Sequence, residues 1–251
     1  MISLGGIAAL LAAVIGTSFI SGVLSLAGGT ILMGVFVWVL PVSVAMILHG
    51  VTQIASNGTR AWIYREHIQW NILGGYLTGA AACLFLFAAF VFVTNKILVF
   101  LLLGILPFAN FLTPRNLALD ITKPFMPAVC GFTNVGTMML AGVSGPLLDV
   151  FFVKSPLDRF QVHATKGFTQ VLSHTAKVIY FVLILRLVED GDLILPLWVF
   201  AAVVPLAYFG NVLARRVVVA MSDHQFRWLT QGAAMAIGAV FLYRAFSLMS
   251  A

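Results

Sequence analysis

Residues 1–59 read MISLGGIAALLAAVIGTSFISGVLSLAGGTILMGVFVWVLPVSVAMILHGVTQIASNGT and contain no Asp, Glu, Lys or Arg, so the first charged side chain is Arg60. A helix that crosses a bilayer needs about 20 predominantly apolar residues, and this segment can therefore hold two spans joined by a tight turn. Hydrophobic residues make up 61% of the 251-residue chain and charged residues 9%, whereas soluble domains carry about 25% charged residues. This composition excludes the soluble classes and predicts a polytopic membrane protein.

Further apolar segments follow along the rest of the chain. Five lack charged side chains, namely 71–95, 97–114, 124–148, 193–214 and 228–243, and another near 167–187 carries Lys177. With the two spans of the first segment, this gives about eight hydrophobic segments. Long apolar runs without period-two alternation are typical of membrane helices and exclude a barrel. The expected fold class is an all-α polytopic membrane protein.

The net charge, the cysteines and the motifs limit the possible functions further. The net charge of +6 is typical of a membrane protein with basic cytoplasmic loops and does not indicate a nucleic-acid partner. Cys83 and Cys130 each lie alone in an apolar segment, which predicts small core residues without a disulfide or a metal site. The chain has no Gly-x-Ser-x-Gly, His-Glu-x-x-His or P-loop motif. We therefore expect neither an enzyme nor an ATP-driven pump, and no cofactor.

An internal repeat is the most informative feature of the sequence. The block HGVTQIASNGTR at 49–60 matches KGFTQVLSHTAK at 166–177. Four identities recur, with Gly50, Thr52, Gln53 and Ser56 matched by Gly167, Thr169, Gln170 and Ser173, and a basic residue closes each block. The match predicts two homologous halves, 1–112 and 125–251, joined by a polar linker at 113–124.

A glycine-rich segment precedes each block, SLAGGTIL at 25–32 and AGVSGPLL at 141–148. Glycine interrupting an apolar segment predicts broken or re-entrant helices, whose free N–H groups at a half-helix start attract anions. Duplicated halves are typical of secondary transporters, in which the site lies at the repeat interface. The number of spans per half decides between inverted and parallel repeats, and the sequence leaves it open.

The repeated blocks and the glycine-rich segments supply the candidate substrate-binding residues. These are Thr52, Gln53, Ser56, Asn57, Arg60, Thr169, Gln170, Ser173, His174 and Lys177, together with Gly28, Gly29, Gly142 and Gly145. Within each block the repeated polar positions are expected near one helix face. The alternatives are hydrogen bonding between helices for the polar residues, snorkelling for the two cations and close helix packing for the glycines.

Three further residues are candidates for coupling transport to a proton. Asp149 follows an apolar run, and His49 and His163 are side chains that can titrate near neutral pH. The alternative for Asp149 is an ion pair with Lys154 or Arg159 at the end of a span. For the two histidines the alternative is a hydrogen-bonding role without proton transfer.

These motifs resemble the sulfite exporter TauE/SafE family of membrane permeases. The resemblance rests on SGVLSLAGG at 21–29, LAGVSGP at 140–146, HGVTQIASNG at 49–58 and YREHIQW at 64–70 followed by GGYLTG at 74–79. It implies a multi-pass protein of the bacterial inner membrane that handles sulfite or small organosulfur anions such as sulfonates.

The expected function is therefore a secondary transporter, an exporter of such an anion that works by alternating access. Its expected partners are the anion and the lipid bilayer, and a homodimer is left open. The competing interpretations are a non-transporting membrane assembly factor and an anion channel. The sequence does not determine the specific anion, the direction of transport, the coupling ion or the membrane orientation.

Overall fold

The protein is described here by a computed structural model that covers residues 2–24, 27–108, 119–185, 195–220 and 223–250. Within these ranges the regular structure is entirely helical, in agreement with the predicted fold class. The α-helices are α1 Leu4–Leu24, α2 Ala27–Val39, α3 Val42–Ile63, α4 Trp70–Phe90, α5 Lys96–Ile105, α6 Met126–Ala141, α7 Gly145–Phe152, α8 Arg159–Ile179, α9 Leu197–Ala220 and α10 Asp223–Met249. The first half of the predicted linker at 113–124, residues 113–118, lies outside the described residues.

Four of the described helical segments are long and apolar enough to cross a membrane. They are Leu4–Val23, Trp70–Phe90, Arg159–Ile184 and Leu197–Ala214, and shorter apolar helices cover Gly28–Val39, Lys96–Phe108, Met126–Ala141 and Met235–Met249. Large apolar side chains lie on the outside, for example Phe85 at 76% exposure and Leu197 at 74%. An apolar exterior of this kind is what a lipid-facing surface requires.

The residues at the helix ends explain where several helices begin and end. Asp158 caps α8 by accepting hydrogen bonds from the backbone N–H groups of Phe160 and Gln161, in a capping box. Helix α6 ends where Gly142 adopts a left-handed φ of 76°, a conformation that favours glycine. After this break α7 begins at Gly145, so the second glycine-rich segment separates two helices.

Glycines let pairs of helices approach closely. A Cβ at Gly131 of α6 would overlap the backbone of Tyr76 in α4, and a Cβ at Gly210 of α9 would lie 2.7 Å from the carbonyl oxygen of Ile15 in α1. Close backbone contact through small residues is the usual packing mode of membrane helices. Accordingly α4 packs along α6, and α1 packs along α9.

Helices α3 and α8 pack against each other and carry the two repeated sequence blocks. Helix α3 also contacts α2 and α9, and helix α8 also contacts α4, α6 and α7. The α3–α8 pair therefore has neighbours on several sides. Cys83 and Cys130 are buried among the apolar residues, as predicted.

Candidate functional site

A polar cavity of about 60 Å³ lies between α3 and α8. Its polar lining consists of Ser21, Thr30, His49, Gln53, Asn57, Arg60, Ser144, His163, Lys166, Gln170 and His174, and Gly29, Val143, Gly145, Leu148 and Gly167 complete the wall. A cavity of this size has room for a few water molecules, and hence for one small oxyanion.

Helix α3 presents a stripe of four polar side chains to the cavity, His49, Gln53, Asn57 and Arg60. Successive members are three or four residues apart, which places them on one helix face. The Asn57 Nδ2 atom donates to the Gln53 Oε1 atom at 3.2 Å, and Arg60 donates to the Asn57 Oδ1 atom. These bonds orient the Arg60 guanidinium at the end of the stripe.

Helix α8 presents a matching stripe, His163, Lys166, Gln170 and His174. Lys166 forms an ion pair with Asp149 of α7, and the Gln170 Nε2 atom donates to the Ser144 Oγ atom at 3.4 Å. The His174 side chain is 3% exposed, and its Nδ1 atom has no hydrogen-bond partner within the described residues. Because His174 lines the cavity, a molecule bound there could supply the hydrogen-bond partner that this buried ring nitrogen lacks.

Two helix N-termini also meet the cavity. Gly29 and Thr30 belong to the first turn of α2, while Ser144 is the N-cap and Gly145 the first residue of α7. The N-terminal end of a helix carries a partial positive charge and unpaired N–H groups. A Cβ at Gly29 would lie 3.3 Å from the Gln53 Nε2 atom, so a larger side chain there would extend into the cavity.

The electrostatics of the cavity favour an anion. Two cationic side chains, Arg60 and Lys166, line it, and its described lining contains no Asp or Glu. Asp149 lies next to the wall, where it compensates Lys166. Arginine, lysine, amide groups and helix N-termini together are the donors that proteins use for oxyanions.

Lys177 does not line the cavity, although we expected it to contact the anion directly. Its side chain is fully buried, and its Nζ atom lies 2.8 Å from the carbonyl oxygen of Gly142 and 3.0 Å from the His49 Nδ1 atom. The His49 Nε2 atom lies 2.9 Å from the carbonyl oxygen of Gly29. Among the described residues, His49 is the side chain that connects Lys177 to the cavity.

The two threonines of the repeated blocks also lie outside the lining. The Thr52 hydroxyl donates to the carbonyl oxygen of Leu48 at 2.8 Å, and the Thr169 hydroxyl donates to the carbonyl oxygen of Lys166 at 3.0 Å. Consecutive residues on a helix point about 100° apart, so a threonine that precedes a cavity-facing glutamine faces elsewhere. Their hydroxyls are satisfied within their own helices.

The two serines of the blocks bond to neighbouring helices. The Ser56 Oγ atom accepts from the Asn211 Nδ2 atom of α9 at 2.8 Å. The Ser173 Oγ atom lies 2.5 Å from the Tyr76 hydroxyl of α4 and accepts from the Asn134 Nδ2 atom of α6 at 2.9 Å. For these two positions the structure favours the alternative interpretation, hydrogen bonding between helices.

The four candidate glycines divide into two groups. Gly29 and Gly145 line the cavity, whereas Gly28 and Gly142 do not. A Cβ at Gly28 would overlap the backbone of α1 at Thr17, so Gly28 serves close packing. Gly142 provides the left-handed turn that ends α6.

The coupling candidates gather around the cavity. His49 and His163 line it, and Asp149 pairs with Lys166, a partner that sequence reasoning did not assign to it. Sequence reasoning also left Lys166 and Ser144 out of the candidate set. The spacing of His163, Lys166 and Gln170 along one helix face is the signal that identifies Lys166.

Comparison with known proteins identifies the family of the chain. The sequence profile of the family described as sulfite exporter TauE/SafE matches residues 9–241. Comparisons with curated proteins and with solved structures give no match. Since the matched region covers nearly the whole chain, the protein belongs to the sulfite exporter TauE/SafE family of multi-pass membrane transporters.

Proposed function

We propose that the chain exports sulfite or a small organosulfur anion across the bacterial inner membrane by alternating access, with the cavity between α3 and α8 as the anion site. One observation carries the proposal. Arg60, Lys166, Gln53 and Gln170 converge on a single cavity that two helix N-termini also reach. The alternatives for the chain as a whole are a non-transporting assembly factor and an anion channel.

The donor set suits a small oxyanion. Each anion oxygen that leaves water needs replacement hydrogen bonds, since an unmet polar group in a low-dielectric site costs about 1–3 kcal/mol or more. The Arg60 guanidinium can bind two oxygens side by side, and Lys166 adds an ammonium group. The amides of Gln53 and Gln170 and the backbone N–H groups of Gly29 and Gly145 supply further donors.

The packing of the helices supports two related halves, 1–112 and 125–251, around this site. Helix α3 of the first half packs on α8 of the second, and α5 packs on α10. Helices α1 and α4 are the first and fourth helices of the first half, and we take α6 and α9 as their equivalents in the second half. The first helix of each half packs on the fourth helix of the other, α1 on α9 and α6 on α4. Pairs of this kind are what a two-fold arrangement produces, and they give each half a surface on which it can move against the other.

Reconstitution tests the proposal against both alternatives. Purified protein in liposomes is assayed for sulfite flux, after a binding screen against sulfite, sulfate, thiosulfate, sulfoacetate and taurine. A transporter gives saturable flux at turnover rates far below those of a conducting pore. An assembly factor gives no flux with any of the anions, and a channel gives single-channel currents, so either result would contradict the proposal.

A further inference from the structure

Lys177 is a fully buried lysine that lies outside the lining of the proposed anion site. The side chain is fully buried, and among the described residues its Nζ atom has two hydrogen-bond partners, the Gly142 carbonyl and the His49 imidazole, neither of which carries a negative charge. A buried ammonium without a counter-charge is costly, and the cost is greater within a membrane. The protonated form of Lys177 therefore needs a negative charge that these partners do not provide.

The hydrogen-bond geometry accommodates the neutral amine. The carbonyl oxygen of Gly29 only accepts hydrogen bonds, so the His49 Nε2 atom, at 2.9 Å, carries the hydrogen. The Nδ1 atom of the neutral ring is then an acceptor, and Lys177 donates to it and to Gly142. A neutral amine has two N–H groups, which these two acceptors satisfy, and a lone pair that remains open to a proton.

The cavity can supply the missing negative charge. His49 lines the cavity on one side and contacts Lys177 on the other, so a bound anion would lie about one imidazole ring away from the amine. We propose that Lys177 binds a proton when the cavity binds its anion and releases it when the anion leaves. The proton moves from water to the amine lone pair as the anion enters, and the chain carries anion and proton together.

This coupling rests on the proposed function of the cavity. Opposite unit charges roughly 6–8 Å apart, at an effective dielectric constant of about 20, change each other's binding roughly 30- to 100-fold. By linkage the effect is reciprocal, because anion binding favours the protonated amine as much as the protonated amine favours the anion. The bound complex holds the extra proton, so anion affinity falls as the pH rises, by up to about tenfold per pH unit.

Other titratable and charged groups surround the same region. His174 lies on the helix of Lys177, with its ring 5.4 Å from that of His49. Arg60 is on the α3 stripe, and Lys166 with Asp149 is on the other wall of the cavity. Imidazole and carboxyl groups are ordinarily deprotonated at alkaline pH, so an alkaline measurement leaves the amines of Lys177 and Lys166 as the groups that take up a proton. The Lys177→Met variant separates the two.

The test is the number of protons taken up per sulfite bound, from titration calorimetry in buffers of different ionisation enthalpy. The measurement is repeated at several pH values, all in the range where sulfite itself is already fully dianionic. The samples are the parent, Lys177→Met, which keeps an unbranched chain of similar length, Asp149→Asn, and Lys154→Met as an exposed matched control. We expect roughly 0.7–0.8 proton per anion at the pH of greatest uptake for the parent and the control, and close to none for Lys177→Met.

Several results would overturn the inference. One is a parent that binds sulfite without taking up a proton, and this result decides the matter even if Lys177→Met fails to fold. Another is a folded Lys177→Met protein that retains the uptake. Loss of the uptake in Asp149→Asn, with retention in Lys177→Met, would assign the proton to the carboxylate instead. Absence of sulfite binding in the parent would contradict the proposed function itself.

Discussion

Gln53 and Gln170 occupy equivalent positions in the two repeated sequence blocks, and their side chains line the same cavity from opposite helices, α3 and α8. The serines three positions after them, Ser56 and Ser173, are equally well matched in sequence but bond to α9 and α4. The matched block therefore contributes one residue pair to the candidate site and another to helix packing. This division leads to separate expectations for binding and for stability.

Replacing Tyr76 by Phe should lower stability while leaving anion affinity unchanged. The fully buried Tyr76 hydroxyl bonds to Ser173 and to Asn134, away from the cavity. Losing it removes buried hydrogen bonds worth about 1–2 kcal/mol in total, which lowers the melting temperature of the protein in detergent. Sulfite affinity per folded molecule is measured on the same sample, and a loss of affinity at unchanged stability would contradict the assignment of this cluster to packing.

Valine at Gly29 and at Gly145 should abolish anion binding and leave the protein folded. Both glycines line the cavity, and a side chain at Gly29 first meets the flexible end of Gln53. Gly28→Val is the matched comparison, because its side chain would overlap the backbone of α1 at Thr17. We expect that variant to fold poorly. Equal loss of stability in Gly28→Val and Gly29→Val would indicate that both glycines serve packing.

Asp149→Asn should raise the affinity for sulfite by roughly tenfold. The substitution removes the negative charge that pairs with Lys166 and leaves the ammonium available to the anion. Release should slow correspondingly, so transport turnover falls while the apparent dissociation constant also falls. Asp158→Asn is the control, since Asp158 is an exposed N-cap and Asn is an equally good capping residue. Weaker binding in Asp149→Asn would contradict this reading of the ion pair.

Lys177→Ala should lower anion transport more than Lys154→Ala does. Lys177 is buried and bonded to His49 in the cavity wall, whereas Lys154 is exposed. The difference is measured as initial sulfite flux into liposomes, normalised to the amount of folded protein. Equal flux in both variants and the parent would remove Lys177 from the mechanism.

The sequence predicted the helical class and the membrane character, and it singled out the two repeated blocks, which lie on α3 and α8. It could not predict which side of each helix faces the cavity, because the residues around α3 and α8 come from distant parts of the chain. Tertiary packing forms the hydrogen bond between Ser56 and Asn211 and the ion pair between Asp149 and Lys166. Helical periodicity alone would have separated Gln53 and Asn57 from Thr52 and Ser56, since residues four apart share a face.

The central claim, that the cavity between α3 and α8 binds the transported anion, is tested most directly by sulfite flux in the double variant Gln53→Ala, Gln170→Ala. Each amide should contribute a hydrogen bond to a charged partner, worth about 1.5–3 kcal/mol. The comparison is the double variant Thr52→Val, Thr169→Val, whose altered hydroxyls bond within their own helices. The account predicts that the glutamine variant loses saturable sulfite flux while the threonine variant keeps it. A folded glutamine variant that transports sulfite like the parent would contradict the account.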